Sequence, residues 1–342
     1  MHNNQAIPFN KENFKLIFSK EFALVITLSI PSALIAEFFD IPLAWFLGPM
    51  LITSLGSLMG LKTKMPKLVL SSVLILLGIY IGNYIDESLF AQMHQWAWTS
   101  LIMLVYIILS VIIVSKYLHV FSKYDRKTSI FSAAPGALGP LMILAEYEKS
   151  DLSQVATAHL IRLIIIITLF PFIIVSLYPA EALELEKFDY MSQNHLDLFL
   201  LIIVSLIFIF FFDKAKVPAA LLSGTLVASG VLQILDVASY KLPDASINFC
   251  LLILGASVGC RFANKTFKEV ANNSFHGLVA TILLVLLGLI AAYIATFFVE
   301  NNFLSLILSF CPGGIYEVAV IAIAFDLEPD FVAFHHIIRL LF

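Results

Sequence analysis

The stretch "ATAHLIRLIIIITLF", Ala156 to Phe170, sets a histidine and an arginine three residues apart inside an otherwise apolar run. The end of the chain does it again: "FVAFHHIIRLLF", Phe331 to Phe342, carries His336 and Arg339 at the same spacing. At 1.5 Å rise per residue, Arg162 falls near the middle of a ~30 Å hydrocarbon core. An arginine there costs at least ~2.5–3.5 kcal/mol on insertion scales, so such charges face a cavity or a partner. His159, one turn before Arg162, shares its helix face.

The apolar setting is not local. Of the 342 residues, 60% are hydrophobic and 13% charged, with a mean hydropathy of +0.96. A soluble domain carries about 25% charged residues, so the composition is that of an all-α integral membrane protein. About ten apolar runs approach the ~20 residues needed to cross a bilayer: near 21–39, 42–60, 68–84, 97–116, 154–178, 195–212, 217–235, 247–260, 276–298 and 303–325. The first is read as an uncleaved helix, because no small-residue cleavage site follows it. Residues 1–20 then form an N-terminal segment and 179–194 an acidic polar connection. The net charge of −4 and the absence of any soluble basic element argue against nucleic-acid binding. Cys250, Cys260 and Cys311 all lie in apolar segments and read as small buried hydrophobes.

The chain reads as written twice. "IPLAWFLG" (41–48) matches "VPAALLSG" (217–224), and "LGIYIG" (77–82) matches "LGASVG" (254–259). "AAPGALG" (133–139) matches "FCPGGIY" (310–316), and His159 and Arg162 fall on His336 and Arg339, all at an offset of 176 to 177 residues. This sets repeat 1 at 21–178 and repeat 2 at 195–342. Lysine and arginine favour the cytoplasmic side. If every apolar segment crosses, 12 Lys/Arg lie inside and 6 outside, leaving out Arg162 and Arg339. If the Pro-Gly segments dip in and return on the same side, the second copy is inverted and the count becomes 16 against 2. The second arrangement is preferred: inverted repeats, about ten spanning helices, two Pro-Gly-broken or re-entrant segments and a cytoplasmic N-terminus in the inner membrane. Pro135, Gly136 and Gly139, with Pro312, Gly313 and Gly314, mark the breaks. The plainer reading is that these residues only kink ordinary spanning helices.

Inverted repeats recur in secondary transporters, whose sites form where discontinuous helices meet. On that reading Arg162, Arg339, His159, His336, Glu317 and Tyr316 are the candidate solute-binding residues. The rival for the arginines is structural, with each satisfied by carbonyls freed at a broken helix. Glu317 has Pro140 as its counterpart, and serves either as a single protonatable carboxylate or to neutralise an arginine. Glycines at 78, 82, 255 and 259 have the spacing of close helix packing. His335 and His336, about 100° apart on a helix, cannot chelate one metal. No cluster has metal-ligand spacing, so no metal, cofactor or enzymatic activity is expected.

"APG" at 134–136 and "CPGGIYE" at 311–317, each with His and then Arg beginning 24 residues after its proline, resemble the AbrB family of membrane proteins. The resemblance covers about residues 21 to 342. It implies a duplicated multi-spanning module, a family labelled both a putative ammonia monooxygenase and a regulator of gene expression. The family's Pro-Gly-Gly, aliphatic, Ser-like, Glu pattern is carried here by residues 312–317. The first copy departs from it, lacking the second glycine and the glutamate. The last helix is also short, ending at Phe342 about 13 residues in, either as a half-helix or truncated. The monooxygenase label lacks a metal pattern. The expectation is a transporter of a small anionic solute with a coupling proton or other ion. The alternative is a membrane sensor acting indirectly on gene expression. The partners are the lipid bilayer and the solute, and a homo-oligomer fits either reading.

Overall fold

The structure is a computed structural model that describes residues 11–85, 88–136, 138–177, 195–238, 240, 243–263 and 265–341. The polar connection 179–194 and residues 1–10 of the N-terminal segment lie outside the described residues. Every regular element among the described residues is a helix. Five are long and apolar enough to cross a membrane: Asn13–Phe38, His94–Phe121, Leu152–Leu177, Leu196–Lys214 and Ser274–Ala295. The other apolar runs form helices of 8 to 17 residues, ~12–25 Å long against a ~30 Å core.

The elements divide between two compact units, Met1–Leu89 with Val175–Asn264 and Phe90–Ile174 with Lys265–Phe342. Each unit therefore draws on both halves of the sequence.

The first unit holds α1 (Lys11–Ile17), α2 (Lys20–Phe38), α3 (Ala44–Leu58), α4 (Lys67–Gly82), α9 (His195–Lys214), α10 (Ala220–Ile234) and α11 (Asp244–Cys260). Helices α3 and α10 each start directly after a left-handed residue, Leu43 at φ 53° and Ala219 at φ 51°. Pro42 and Pro218 stand one position earlier. Helix α4 packs on α10 and α11 on α3. The glycines make this possible. A Cβ on Gly78 would lie 2.6 Å from Thr225 Cβ, and one on Gly255 would strike the carbonyl of Phe46. Small hydroxyl residues then bond across the interfaces. Thr53 Oγ1 lies 3.4 Å from the Ala256 carbonyl, and Ser229 Oγ donates to the Ile79 carbonyl at 3.1 Å.

The second unit holds the body of α5 (Ser88–Phe121) and α8 (Leu152–Leu177), with α6 (Arg126–Ala133), α7 (Leu138–Tyr147), α12 (Phe267–Ala295), α13 (Phe303–Phe310), α14 (Ile315–Ala324) and α15 (Pro329–Leu341). The chain is interrupted between α6 and α7 and between α13 and α14, at the two Pro-Gly motifs. Gly139, read in sequence as part of the first break, lies inside α7. The α6–α7 segment turns back on itself. Lys127, at the start of α6, pairs with Glu148, just past α7, at 2.7 Å. The hydroxyl of Thr128 in α6 accepts from the backbone N–H of Asp151 at 3.0 Å.

Candidate functional site

Helix α8 runs beside α6 in the same direction, and its polar residues meet carbonyls near and beyond the end of α6. His159 Nε2 donates to the Phe131 carbonyl at 2.9 Å. Three residues on, Arg162 Nη1 and Nη2 both donate to the Ala134 carbonyl at 3.2 Å. Helix α15 treats α13 alike. His336 Nε2 donates to the Leu308 carbonyl at 3.0 Å, Arg339 Nη1 to the Cys311 carbonyl, and Nη2 to the Gly313 carbonyl at 2.6 Å. A 28-residue separation joins His159 to Phe131, Arg162 to Ala134, His336 to Leu308 and Arg339 to Cys311.

The physical cause lies in the breaks. A helix ends with four carbonyls that have no intrahelical partner, and the first residues after α6 and α13 add more. Stranded away from water, each unsatisfied group costs several kcal/mol. A guanidinium satisfies them and complements the negative end of the half-helix. A hydrogen bond to a charged group contributes about 1.5–3 kcal/mol, so two or three offset the insertion cost of the arginine. The carbonyls that the rival, structural reading of the arginines invokes are the ones the guanidinium groups contact.

The histidines fix the guanidinium planes. Arg162 Nη2 contacts His159 Nδ1 at 2.5 Å, and Arg339 Nη2 contacts His336 Nδ1 at 2.8 Å. Each Nε2 faces a carbonyl and so carries the proton. Each Nδ1 faces a guanidinium donor and so presents its lone pair. Both rings are thereby neutral bridges between an arginine and a backbone oxygen. A second proton on Nδ1 would set N–H against N–H, so this geometry disfavours proton exchange at either ring.

The arginines are not saturated. Arg162 is 4% exposed and Arg339 3%, and the Nε of each is buried without a hydrogen-bond partner. Arg339 lies close enough to repel Arg162. Tyr106 of α5 and Cys311 lie within electrostatic reach of both. Tyr106 also touches the second break: its ring lies edge-on to Phe310 at 6.1 Å. Its hydroxyl is 3.7 Å from where a Cβ on Gly288 would stand, itself 3.0 Å from the Phe310 carbonyl. Sequence reading missed Tyr106, because one tyrosine in the aliphatic α5 carries no periodic signal.

Glu317 is buried at 1% exposure in the first turn of α14. Its carboxylate folds back onto Gly314, where a Cβ would collide with Oε2, so this position has no room for a side chain. A carboxylate suits the positive end of a helix. Helix α7 has no acidic residue in its first turn. Tyr316 is half-buried beside Glu317. Among the described residues no three His, Cys, Asp or Glu side chains converge as a metal site would require.

The family profile described as "Transition state regulatory protein AbrB" matches residues 2–84 and 45–342. The chain is 22% identical over 282 residues to a Bacillus subtilis (strain 168) protein named "Uncharacterized protein YhjN", covering 78% of this chain and 73% of that one. It is also 22% identical over 285 residues to the Escherichia coli (strain K12) "Putative regulator AbrB", covering 82% and 81%. No solved structure matches.

Proposed function

The chain belongs to the AbrB family, and from that premise and the geometry of the two breaks we propose that it is a secondary transporter of a small anionic solute. The observation that carries this reading is the arginine pair. Two buried guanidinium groups repel one another, and each keeps an Nε–H without a partner. A buried donor without a partner costs about 1–3 kcal/mol, and like charges repel strongly away from water. A ligand carrying negative charge relieves both penalties; a neutral or cationic one does not.

The recurrence of one pattern in both halves supports the reading. Breaks, histidines and arginines recur at an offset of 177 residues with the same hydrogen-bond separation. Both breaks belong to one compact unit, as expected of sites built where discontinuous helices meet. The Lys127–Glu148 pair favours a segment that dips and returns. With such segments, 16 of the 18 Lys/Arg other than Arg162 and Arg339 lie on one side, which favours a cytoplasmic N-terminus. On this reading the membrane is the inner one.

The test is thermal stability of the detergent-purified protein against a panel of small metabolites, repeated with Arg162→Ala and Arg339→Ala. A stabilising anion whose effect disappears in folded variants marks the site and goes to a flux assay in vesicles. A wild type that no anion shifts, with variants that fail to fold, would sink the reading. The second reading is a membrane sensor that binds without flux, favoured by the name of the Escherichia coli relative, a putative regulator. Binding without movement of the ligand across vesicles selects it.

A further inference from the structure

In broken-helix transporters, freed backbone carbonyls and half-helix C-termini coordinate the coupling cation. Here the corresponding oxygens, on Ala134, Cys311 and Gly313, are taken by guanidinium groups tethered to the same chain. Each break therefore carries a built-in cation, and a metal ion there would have to displace it. The coupling ion has to be sought elsewhere.

His335 offers the place. It is buried at 0% exposure and differs from its neighbour in what it faces. His336 is held neutral between a carbonyl and a guanidinium. His335 Nδ1 donates to the Phe331 carbonyl at 2.9 Å, and its Nε2 lies 2.7 Å from Thr99 Oγ1 on α5. The Thr99 hydroxyl has a second partner, the Trp96 carbonyl, at 3.0 Å. A hydroxyl both donates and accepts, and this makes the pair reversible. With a neutral ring, Thr99 donates to Nε2. With a proton on Nε2, the ring donates to Thr99 Oγ1 and the hydroxyl rotates its hydrogen onto the Trp96 carbonyl. Neither ring nitrogen nor the hydroxyl lacks a partner in either state.

The surroundings are aromatic. Four aromatic rings enclose the imidazole, with centroids at 4.2 Å (Phe331), 5.2 Å (Phe334), 6.3 Å (Phe310) and 6.4 Å (Trp96). Only Phe331 and Phe334 lie within the ~6 Å reach of a cation–π attraction, about 0.5–2 kcal/mol where a cation lies over a ring face. The ionisable groups of the packed elements are Asp330, His336 and Arg339 on α15, Tyr316 and Glu317 on α14, Cys311 after α13, and His94, Tyr106, Lys116, Tyr117 and His119 on α5, of which His94, Lys116 and His119 are exposed. Arg339 turns its guanidinium to the break carbonyls, and His336, which His335 influences electrostatically, is neutral by its hydrogen bonds.

We propose that this protein binds a proton at His335 Nε2 against Thr99 Oγ1, and that, on the transport reading above, this proton is the coupling ion and sodium is not.

The experiment uses the full chain, labelled with 15N-histidine in detergent micelles, with His335 signals assigned by difference from His335→Gln. On acidification from about pH 8 to about pH 4, past the range in which unperturbed histidines titrate, His335 passes from one neutral tautomer to imidazolium. His159 and His336 keep their single tautomers. Thr99→Val lowers the His335 midpoint by about one unit, a tenfold loss of proton affinity, while Thr99→Ser retains it. A His335 that stays neutral at the acid end in folded wild type overturns the proposal. So does a midpoint unchanged in Thr99→Val. If His335→Gln does not fold, the difference from Thr99→Val gives the assignment. Thermal stability in sodium chloride equals that in choline chloride at matched ionic strength; a sodium-specific rise overturns the exclusion of sodium. None of these readouts needs the solute, so transport can fail its flux test while the proton site stands, and the reverse.

Discussion

Arg339 donates through Nη2 to the carbonyl of Gly313 at 2.6 Å while its Nη1 holds Cys311, so one guanidinium bridges the second break. Arg162 directs both Nη1 and Nη2 at the single carbonyl of Ala134. A lysine ammonium is a point donor without the planar fork. It can replace a grip on one oxygen better than a bridge between two. Arg339→Lys is expected to cost about 1.5–3 kcal/mol of stability, roughly one charged hydrogen bond, and Arg162→Lys about half that. Chemical unfolding in detergent measures both, and equal losses would contradict the bridge.

The imidazoles stand between guanidinium and carbonyl. Replacing His159 by Ala strands a buried donor and a buried acceptor, each worth about 1–3 kcal/mol. Gln keeps an amide N–H and a carbonyl oxygen on one side chain and should recover part of the loss. His336→Ala and His336→Gln should follow the same order, because the two sites share their hydrogen-bond pattern. Thermal unfolding of the four variants decides it; Ala and Gln variants of equal stability would mean that the bridge contributes nothing.

Close approach is testable at the glycines. A Cβ on Gly255 meets the backbone of Phe46, and one on Gly313 would lie 2.5 Å from Val318 Cγ2. A Cβ on Gly136 meets only the flexible end of Leu141, at 3.2 Å. Overpacking a rigid contact costs about 1–3 kcal/mol. Gly255→Ala and Gly313→Ala should destabilise by that amount, whereas Gly136→Ala should be nearly neutral in a thermal melt.

These contrasts separate what could be read in the sequence from what could not. The doubled His and Arg and the two Pro-Gly motifs were visible because each is a rare residue in an apolar run. The glycine spacings announced close packing, and Gly78 and Gly255 now have partners across α4–α10 and α3–α11. The partners of the arginines were invisible, because the oxygens of Ala134, Cys311 and Gly313 belong to the backbone. Thr99 and His335 are 236 residues apart, and no local pattern links them. The left-handed turns at Leu43 and Ala219 were also hidden: neither residue favours positive φ, so the tertiary structure imposes it.

Two acidic caps give a pH dependence outside the membrane segments. Backbone and hydroxyl hydrogen bonds from Thr266 hold the Glu269 carboxyl below its ordinary value of 4.5. At Asp125, burial pushes upward, but bonds from the Thr128 hydroxyl and from the N–H groups of Thr128 and Lys127 outweigh it and hold the carboxyl below 3.8. A lowered folded value means that the stabilisation is full above the unfolded value and disappears as pH falls through the folded one. The caps should therefore contribute fully at neutral pH and weaken below about pH 4.5, the ordinary value for Glu269. Asp125→Asn and Glu269→Gln should flatten that acid limb in a pH series of melts; an unchanged limb would mean that other groups set it.

The hairpin of α6 and α7 makes a topological prediction. Lys127 and Glu148 sit at its two ends and pair at 2.7 Å, both substantially exposed. An exposed pair contributes about 0–1 kcal/mol, so it reports the path of the chain more than it stabilises it. Single cysteines in place of Lys127 and Glu148 should react with a membrane-impermeant maleimide from the same side, the cytoplasm. Cysteines replacing Lys64 and Lys216 should behave alike, because the loops carrying them join the same charge-rich side in the inverted arrangement. A cysteine at Lys241 should react only from the opposite face. Labelling of positions 127 and 148 from opposite faces would mean that the segment crosses the bilayer, which removes the inversion and leaves the transporter reading on the arginine pair alone.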